Sequence, residues 1–184
     1  MAKAKNSLII FDGSNFYHSI KKITPQIHLS NFRYRDFSEY ISNTTNNRII
    51  YCVGEIRRSK NSVKSEKLYS HQQSLFYYLE KQKIEVIKGF MLKNGSEYHE
   101  KGVDVRIALE IQRGAIKNEY QKCFIISSDT DIIPAIIDAR KEKKQLVYVG
   151  FDKNLSRAMQ SNCDQTIIVD KETIRKFEKI SPKK

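Results

Sequence analysis

A chain of 184 residues, 40% apolar and with ten tyrosines and nine phenylalanines, is long enough for one globular domain with a hydrophobic core. Its 33 basic against 21 acidic residues give a formal charge of +12 and a pI near 9.5, which favours an anionic partner such as nucleic acid, although a lysine-rich surface also serves solubility alone. No apolar run of about 18 residues occurs, so no membrane contact is expected, and the scattered Cys52, Cys123 and Cys163 form no CxxC pair, which argues against a zinc knuckle or a disulfide scaffold.

The first segment, MAKAKNS, lacks the apolar core of a signal peptide, so a cytoplasmic protein with reduced thiols is expected. Ser7–Phe11 is a short apolar run ended by Asp12-Gly13-Ser14-Asn15, which reads as a buried strand followed by a polar turn that holds an acid. Asp-Gly is also an ordinary turn dipeptide, and Ser14 or Asn15 could cap a helix over Phe16–Ile23. A second helix is expected over about Tyr34–Ile41, then a strand over Arg48–Val53. Gly54 closes that strand and leaves Glu55 near the same edge.

Between Arg57 and Lys67 stand Arg57, Arg58, Lys60, Lys64 and Lys67 against one acid, Glu66: a solvated loop, or a grip on a phosphate backbone. From Ser65 to Lys81, Leu68, Leu75, Phe76 and Leu79 recur at helical spacing. The interleaved Tyr69, Tyr77 and Tyr78 fit a packing face better than a base-stacking one. Ile84–Ile87 reads as a third strand, and Phe90–Leu92 before Lys93-Asn94-Gly95-Ser96 as a small hairpin. Lys101-Gly102-Val103-Asp104 opens a helix with Val103, Ile107 and Ile111 in one stripe. Asp104 sits in its first turn, where the helix dipole favours an acid whatever its function, and Glu110 falls on a different face.

Cys123–Pro134 reads CFIISSDTDIIP: an apolar strand, a polar turn holding Asp129 and Asp131, and a helix with proline in its first turn. Gln145–Val149 is expected as a strand closed by Gly150, Leu155–Met159 as a short helix, Thr166–Val169 as a last strand and Asp170–Glu178 as a helix. Strands alternating with helices, with no repeat or linker, predict one α/β domain over residues 1–184 with a short basic tail at about 171–184.

Ends of adjacent parallel strands lie about 5 Å apart, so Asp12, Asp129 and Asp131, with Asp104, could converge at the carboxyl edge, where open α/β sheets bind ligands. Like charges about 4 Å apart cost on the order of 1–4 kcal/mol per pair at surface-like dielectric. A divalent cation relieves that repulsion. With no His or Cys expected at the site, all-oxygen ligands suit Mg²⁺ or Mn²⁺ rather than zinc.

The segments FDGSNFY, KGVDVRIALE and IISSDTDIIP, in this order, resemble the NYN domain (LabA-like) of the PIN-like nucleases over roughly Leu8 to Val149. The resemblance implies a Rossmann-like three-layer α/β/α sandwich with a mostly parallel sheet, and a Mg²⁺/Mn²⁺ site for hydrolysing RNA. Its metal-site acids fall on Asp12, Asp104, Asp129 and Asp131. Asn15 matches the family's Asp-x-x-Asn motif and is expected to orient phosphate or water. Ser128 stands where many members have glycine, and Glu110 where the family often has aspartate.

The reading is thus a metal-dependent ribonuclease acting on single-stranded RNA, with Lys101, Arg57, Arg58 and Lys60 gripping the backbone and self-association left open. One rival is a PIN-like module that binds RNA or protein without cutting. Another is a different carboxylate–metal phosphoryl enzyme. A toprim domain wants glutamate after the first strand, where Asp12 stands. A haloacid dehalogenase wants an acid where Ser14 stands.

Overall fold

The apolar runs become the strands of one seven-stranded sheet in the computed structural model, which describes residues 7–56, 58, 63–94 and 97–178. In chain order these are β1 (Ser7–Asp12), β2 (Asn47–Glu55), β3 (Glu85–Asn94), β4 (Glu97–Lys101), β5 (Lys122–Ile126), β6 (Gln145–Phe151) and β7 (Gln165–Val169). Their spatial order is β4-β3-β2-β1-β5-β6-β7, all parallel except β4, which runs antiparallel to β3 at one edge.

Among the described residues seven α-helices flank the strands: α1 (Gly13–Ile23), α2 (Tyr34–Ser42), α3 (Val63–Lys81), α4 (Val103–Ile116), α5 (Ile133–Lys141), α6 (Arg157–Asn162) and α7 (Lys171–Lys176). Among the described residues, none of these helices is long and apolar enough to cross a membrane.

The two-residue alternation of a strand sends its side chains into two cores. Ile9 and Phe11 of β1 join Phe16 and Ile20 of α1, Phe37 of α2, Leu79 of α3 and Ile174 of α7. Leu8 and Ile10 join Ile107 and Ile111 of α4, Ile136 of α5 and Met159 of α6 on the other face. Every residue of β1 is buried, as a central parallel strand covered on both sides requires. Helices, sheet and helices make three layers.

β1 is the strand from which the chain winds first toward β2 and β3, then back past itself toward β5, β6 and β7. In a doubly wound sheet the crevice at that reversal, beyond the carboxyl ends of the two central strands, is where ligands bind. β1 ends at Asp12 and β5 at Ile126, so Asp12 and the Ser127–Asp129 turn flank it.

Several boundaries differ from expectation. Glu85–Ile87 and Phe90–Leu92 belong to one ten-residue strand, β3, which starts just after Ile84, because β4 extends its pairing from Phe90–Lys101 out to Asn94–Glu97. β6 runs through Gly150 to Phe151, since Gly150 still pairs with Ile168. α6 starts at Arg157, after the Ser156 hydroxyl that accepts from the Met159 N–H, and α7 starts after the corresponding Asp170 cap. Within the segment expected as a basic tail, Ile174 and Phe177 enter the core, and Phe177 C=O accepts from Arg33 N–H. Residues 179–184 lie outside the described residues.

Candidate active site

Asp12 serves both as the last residue of β1 and as the N-cap of α1, so the polar turn expected after the strand is already the helix's first turn. Its Oδ1 accepts from Asn15 N–H at 3.0 Å and its Oδ2 from the Ser127 hydroxyl at 2.7 Å. Only 4% of its surface is exposed. Burial pushes its carboxyl up to about 6 from an ordinary 3.8, against the pull of those two hydrogen bonds and with added repulsion from Asp104 and Glu100.

Ser127 joins two acids. Besides donating to Asp12, its Oγ accepts from Asp129 N–H at 3.1 Å. Asp129 Oδ1 in turn accepts from Asp131 N–H at 2.9 Å, which closes a tight turn. Asn15 Oδ1 accepts from Ser128 N–H at 3.1 Å, tying the start of α1 to the turn after β5. The Ser128 hydroxyl lies 2.8 Å from Tyr148 Oη and donates to Asn154 C=O, contacts that a glycine there could not make.

Asp104 arrives from the opposite side on the first turn of α4, after Gly102 takes a left-handed φ of 79°. Partial burial and then the neighbouring charges of Asp129, Glu100 and Asp131 raise its carboxyl above the ordinary value. Glu100 of β4 completes the group, accepting from the Ser14 hydroxyl at 3.1 Å and from Gly54 N–H at 2.5 Å.

Together Asp12, Ser14, Asn15, His18, Glu100, Asp104, Asp129 and Asn154 line a cleft of about 230 Å³. No lysine or arginine is among these lining residues, and His18 is the one side chain there able to carry positive charge. In a protein of net charge +12, four carboxylates thus share a cleft with no lysine or arginine among its lining residues.

The structure brings Asp12, Asn15, Asp104 and Asp129 together as the sequence suggests. Asp131 is exposed outside the lining, although its charge still reaches Asp104. Glu110 is not at the cleft: two turns along α4, it is buried against Arg48 at 2.9 Å and Arg113 at 3.2 Å. Glu55 pairs with Lys88 at 2.5 Å and stays outside. Lys101 is exposed at the end of β4, beyond the lining residues. Arg58 is held by Glu66 at 2.7 Å, while Arg57 and Lys60 lie outside the described residues.

Sequence reasoning missed Glu100, His18, Ser14, Ser127 and Asn154. The expectation that no histidine reaches the site was wrong: His18 follows Asn15 by three residues and so shares its face of α1. That spacing was a usable signal. Glu100 had none, because its place depends on β4 folding back beside β3.

The donors fit a hard cation in kind, since oxygen dominates the lining. Among the described residues no three His, Cys, Asp or Glu side chains stand as a ready metal cage. A small hydrated ion such as Mg²⁺ does not require such a cage, because it keeps several waters and is bound through one or two carboxylates plus substrate phosphates.

A family model described as NYN domain matches residues 6–170. Among solved structures, a protein of unknown function from Vibrio parahaemolyticus has a similar fold, with a TM-score of 0.67 at 14% identity over 92% of this chain and 96% of that one. A pyrazinamidase/nicotinamidase from Streptococcus mutans, at a TM-score of 0.36 and 13% identity over 85% and 90% of the two chains, is too distant in shape to inform the reading. No curated protein matches.

Proposed function

This chain belongs to the NYN domain family, and from that premise we propose that it is a metal-dependent ribonuclease hydrolysing RNA phosphodiester bonds in the acidic cleft. The observation that carries the reading is the cleft itself: Asp12, Glu100, Asp104 and Asp129 around one opening at the sheet's switch point, with no lysine or arginine among the lining residues. Unneutralised carboxylates at close quarters are costly, and a site that keeps them there is built for a cation.

One or two of the carboxylates of Asp12, Asp104 and Asp129 would hold Mg²⁺ or Mn²⁺, with substrate oxygens and water completing its shell. Such an ion supplies charge at the phosphate and a more acidic water.

The rest falls to the chain's own groups. Asp12 is oriented on both oxygens by Asn15 N–H and Ser127 Oγ, so its free lone pairs have a fixed direction. Ser127 fixes Asp129 through the same hydroxyl, which sets these two acids as a unit. Asn15 uses Oδ1 to hold the Ser128 amide, so any contact with phosphate or water falls to its Nδ2. His18, on the same helix face, is placed to donate to a phosphate oxygen. Lys101, one residue beyond Glu100 and exposed, would meet the RNA backbone as it leaves the cleft.

The test is cleavage of a panel of single-stranded RNAs in Mn²⁺, in Mg²⁺ and in chelator, wild type beside Asp129→Asn. Cleavage should need the metal and should fall by about 100-fold or more in the variant, because metal-borne charge stabilisation is worth several kcal/mol and each 1.36 kcal/mol is tenfold in rate. Cleavage surviving both chelator and variant would refute the mechanism. Intact RNA binding with no cleavage of any panel member would indicate a binding module.

A further inference from the structure

Glu100 makes contacts that a metal ligand or a substrate group does not require. Its carboxylate folds onto the main chain where β2 ends, accepting from Gly54 N–H at 2.5 Å, and both of its oxygens lie 3.1 Å from the Ser14 hydroxyl. One side chain thereby clasps three elements: the edge strand β4, the end of β2 and the first turn of α1. A Cβ on Gly54 would fall 2.7 Å from Glu100 Oε2 and 2.8 Å from Met91 Sδ, so a side chain at residue 54 would force the Glu100 carboxylate to shift from this position.

Both ends of the clasp lead to acids of the cleft. Ser14 follows Asp12 by two residues within the cap of α1. Glu100 precedes Asp104 by four residues, and the link between them packs closely on β3: a Cβ on Gly89 would strike Lys101 C=O at 2.8 Å and the Val103 side chain at 2.6 Å. We infer that Glu100 is a positioning residue that sets the separation of Asp12 from Asp104 by pinning the β4-to-α4 turn to the start of α1. The inference rests on the cleft being the catalytic site proposed above, and it assigns Glu100 a role through those two acids rather than on the substrate.

Three variants separate this from other roles. Glu100→Ala deletes the clasp. Gly54→Ala displaces the carboxylate without removing it, and the backbone at 54 lies outside the left-handed region, so alanine is tolerated there conformationally. Glu100→Gln keeps an acceptor for Gly54 N–H and a donor for the Ser14 oxygen, and loses only the charge.

Crystals of the metal-free variants should show the Asp12–Asp104 separation changed by about 1 Å in Glu100→Ala and Gly54→Ala, and kept in Glu100→Gln. A 1 Å misplacement costs about 100-fold, so kcat for RNA should fall by about 10- to 100-fold in the first two variants with KM little changed, and most of it should return in the third. An unchanged separation in Glu100→Ala overturns the inference whether or not the wild type cleaves RNA. Damage in Glu100→Gln equal to that in Glu100→Ala also overturns it, because the charge would then be what matters. A wild type inert on every RNA sinks the proposed function and leaves the crystallographic separation to decide the role of Glu100.

Discussion

Replacing Asp12 with asparagine should stabilise the metal-free protein at neutral pH. Burial holds the Asp12 carboxyl at about 6 in the folded chain against an ordinary 3.8. A raised carboxyl favours the protonated fold, so its contribution is complete below about pH 4 and is lost as pH rises through about 6. Above that pH the charged Asp12 costs the fold about 3 kcal/mol relative to its neutral form, at 1.36 kcal/mol per pH unit. Asparagine keeps the cap on Asn15 N–H and never pays that penalty.

In chelator, the melting temperature of Asp12→Asn relative to wild type should therefore rise between pH 4 and pH 7. At about 2–4 °C per kcal/mol for a chain of this size, the widening should be about 6–12 °C. Any constant offset from the altered Ser127 hydrogen bond is common to all pH values and drops out. Adding Mn²⁺ at about 1,000 times its Kd should reverse the order, since that stabilises wild type by about 4.1 kcal/mol and the variant far less. A melting-temperature difference that stays flat from pH 4 to pH 7 would refute the reasoning.

Other expectations follow from particular contacts. Glu110→Ala should destabilise the fold by about 1–3 kcal/mol in chemical unfolding, because it leaves Arg48 and Arg113 without the buried carboxylate they share, yet kcat for RNA should not change. Ser128→Gly retains the amide that Asn15 holds and removes the link to Tyr148 and Asn154, so a loss of about 1 kcal/mol is expected, read by the same unfolding curve. Lys101→Ala should weaken RNA binding alike across sequences and reduce the slope of log affinity against log salt by about 1. Arg58→Ala should change that slope less, since Arg58 is already neutralised by Glu66, and a larger effect of Arg58 would place the RNA track over α3 instead.

What the sequence revealed divides along physical lines. β1, β5 and β6 were legible because a strand buried on both faces must be apolar throughout, and the ends of β1 and β5 were legible because Asp12 and Ser127 interrupt that run. Asp104 could be read from the helix stripe that starts beside it. The edge hairpin was not legible in full. β4 has no apolar alternation, and its span is set by pairing with β3 rather than by local pattern.

Glu100 went unseen for the same reason, and Asp131 was overvalued because adjacency in Asp-Thr-Asp says nothing of direction. The turn that lets Asp131 N–H bond Asp129 Oδ1 leaves the second acid outside the cleft lining. The basic run after β2 suggested a phosphate grip, but charge counts do not show internal pairing such as Arg58 with Glu66.

The most direct measurement is anomalous diffraction from crystals soaked in Mn²⁺. The account predicts an anomalous peak in the cleft within about 2.6 Å of carboxylate oxygens of at least two of Asp12, Asp104 and Asp129, absent in Asp129→Asn. Full soaking with no peak in the cleft, or with manganese bound only at surface carboxylates elsewhere, would contradict it.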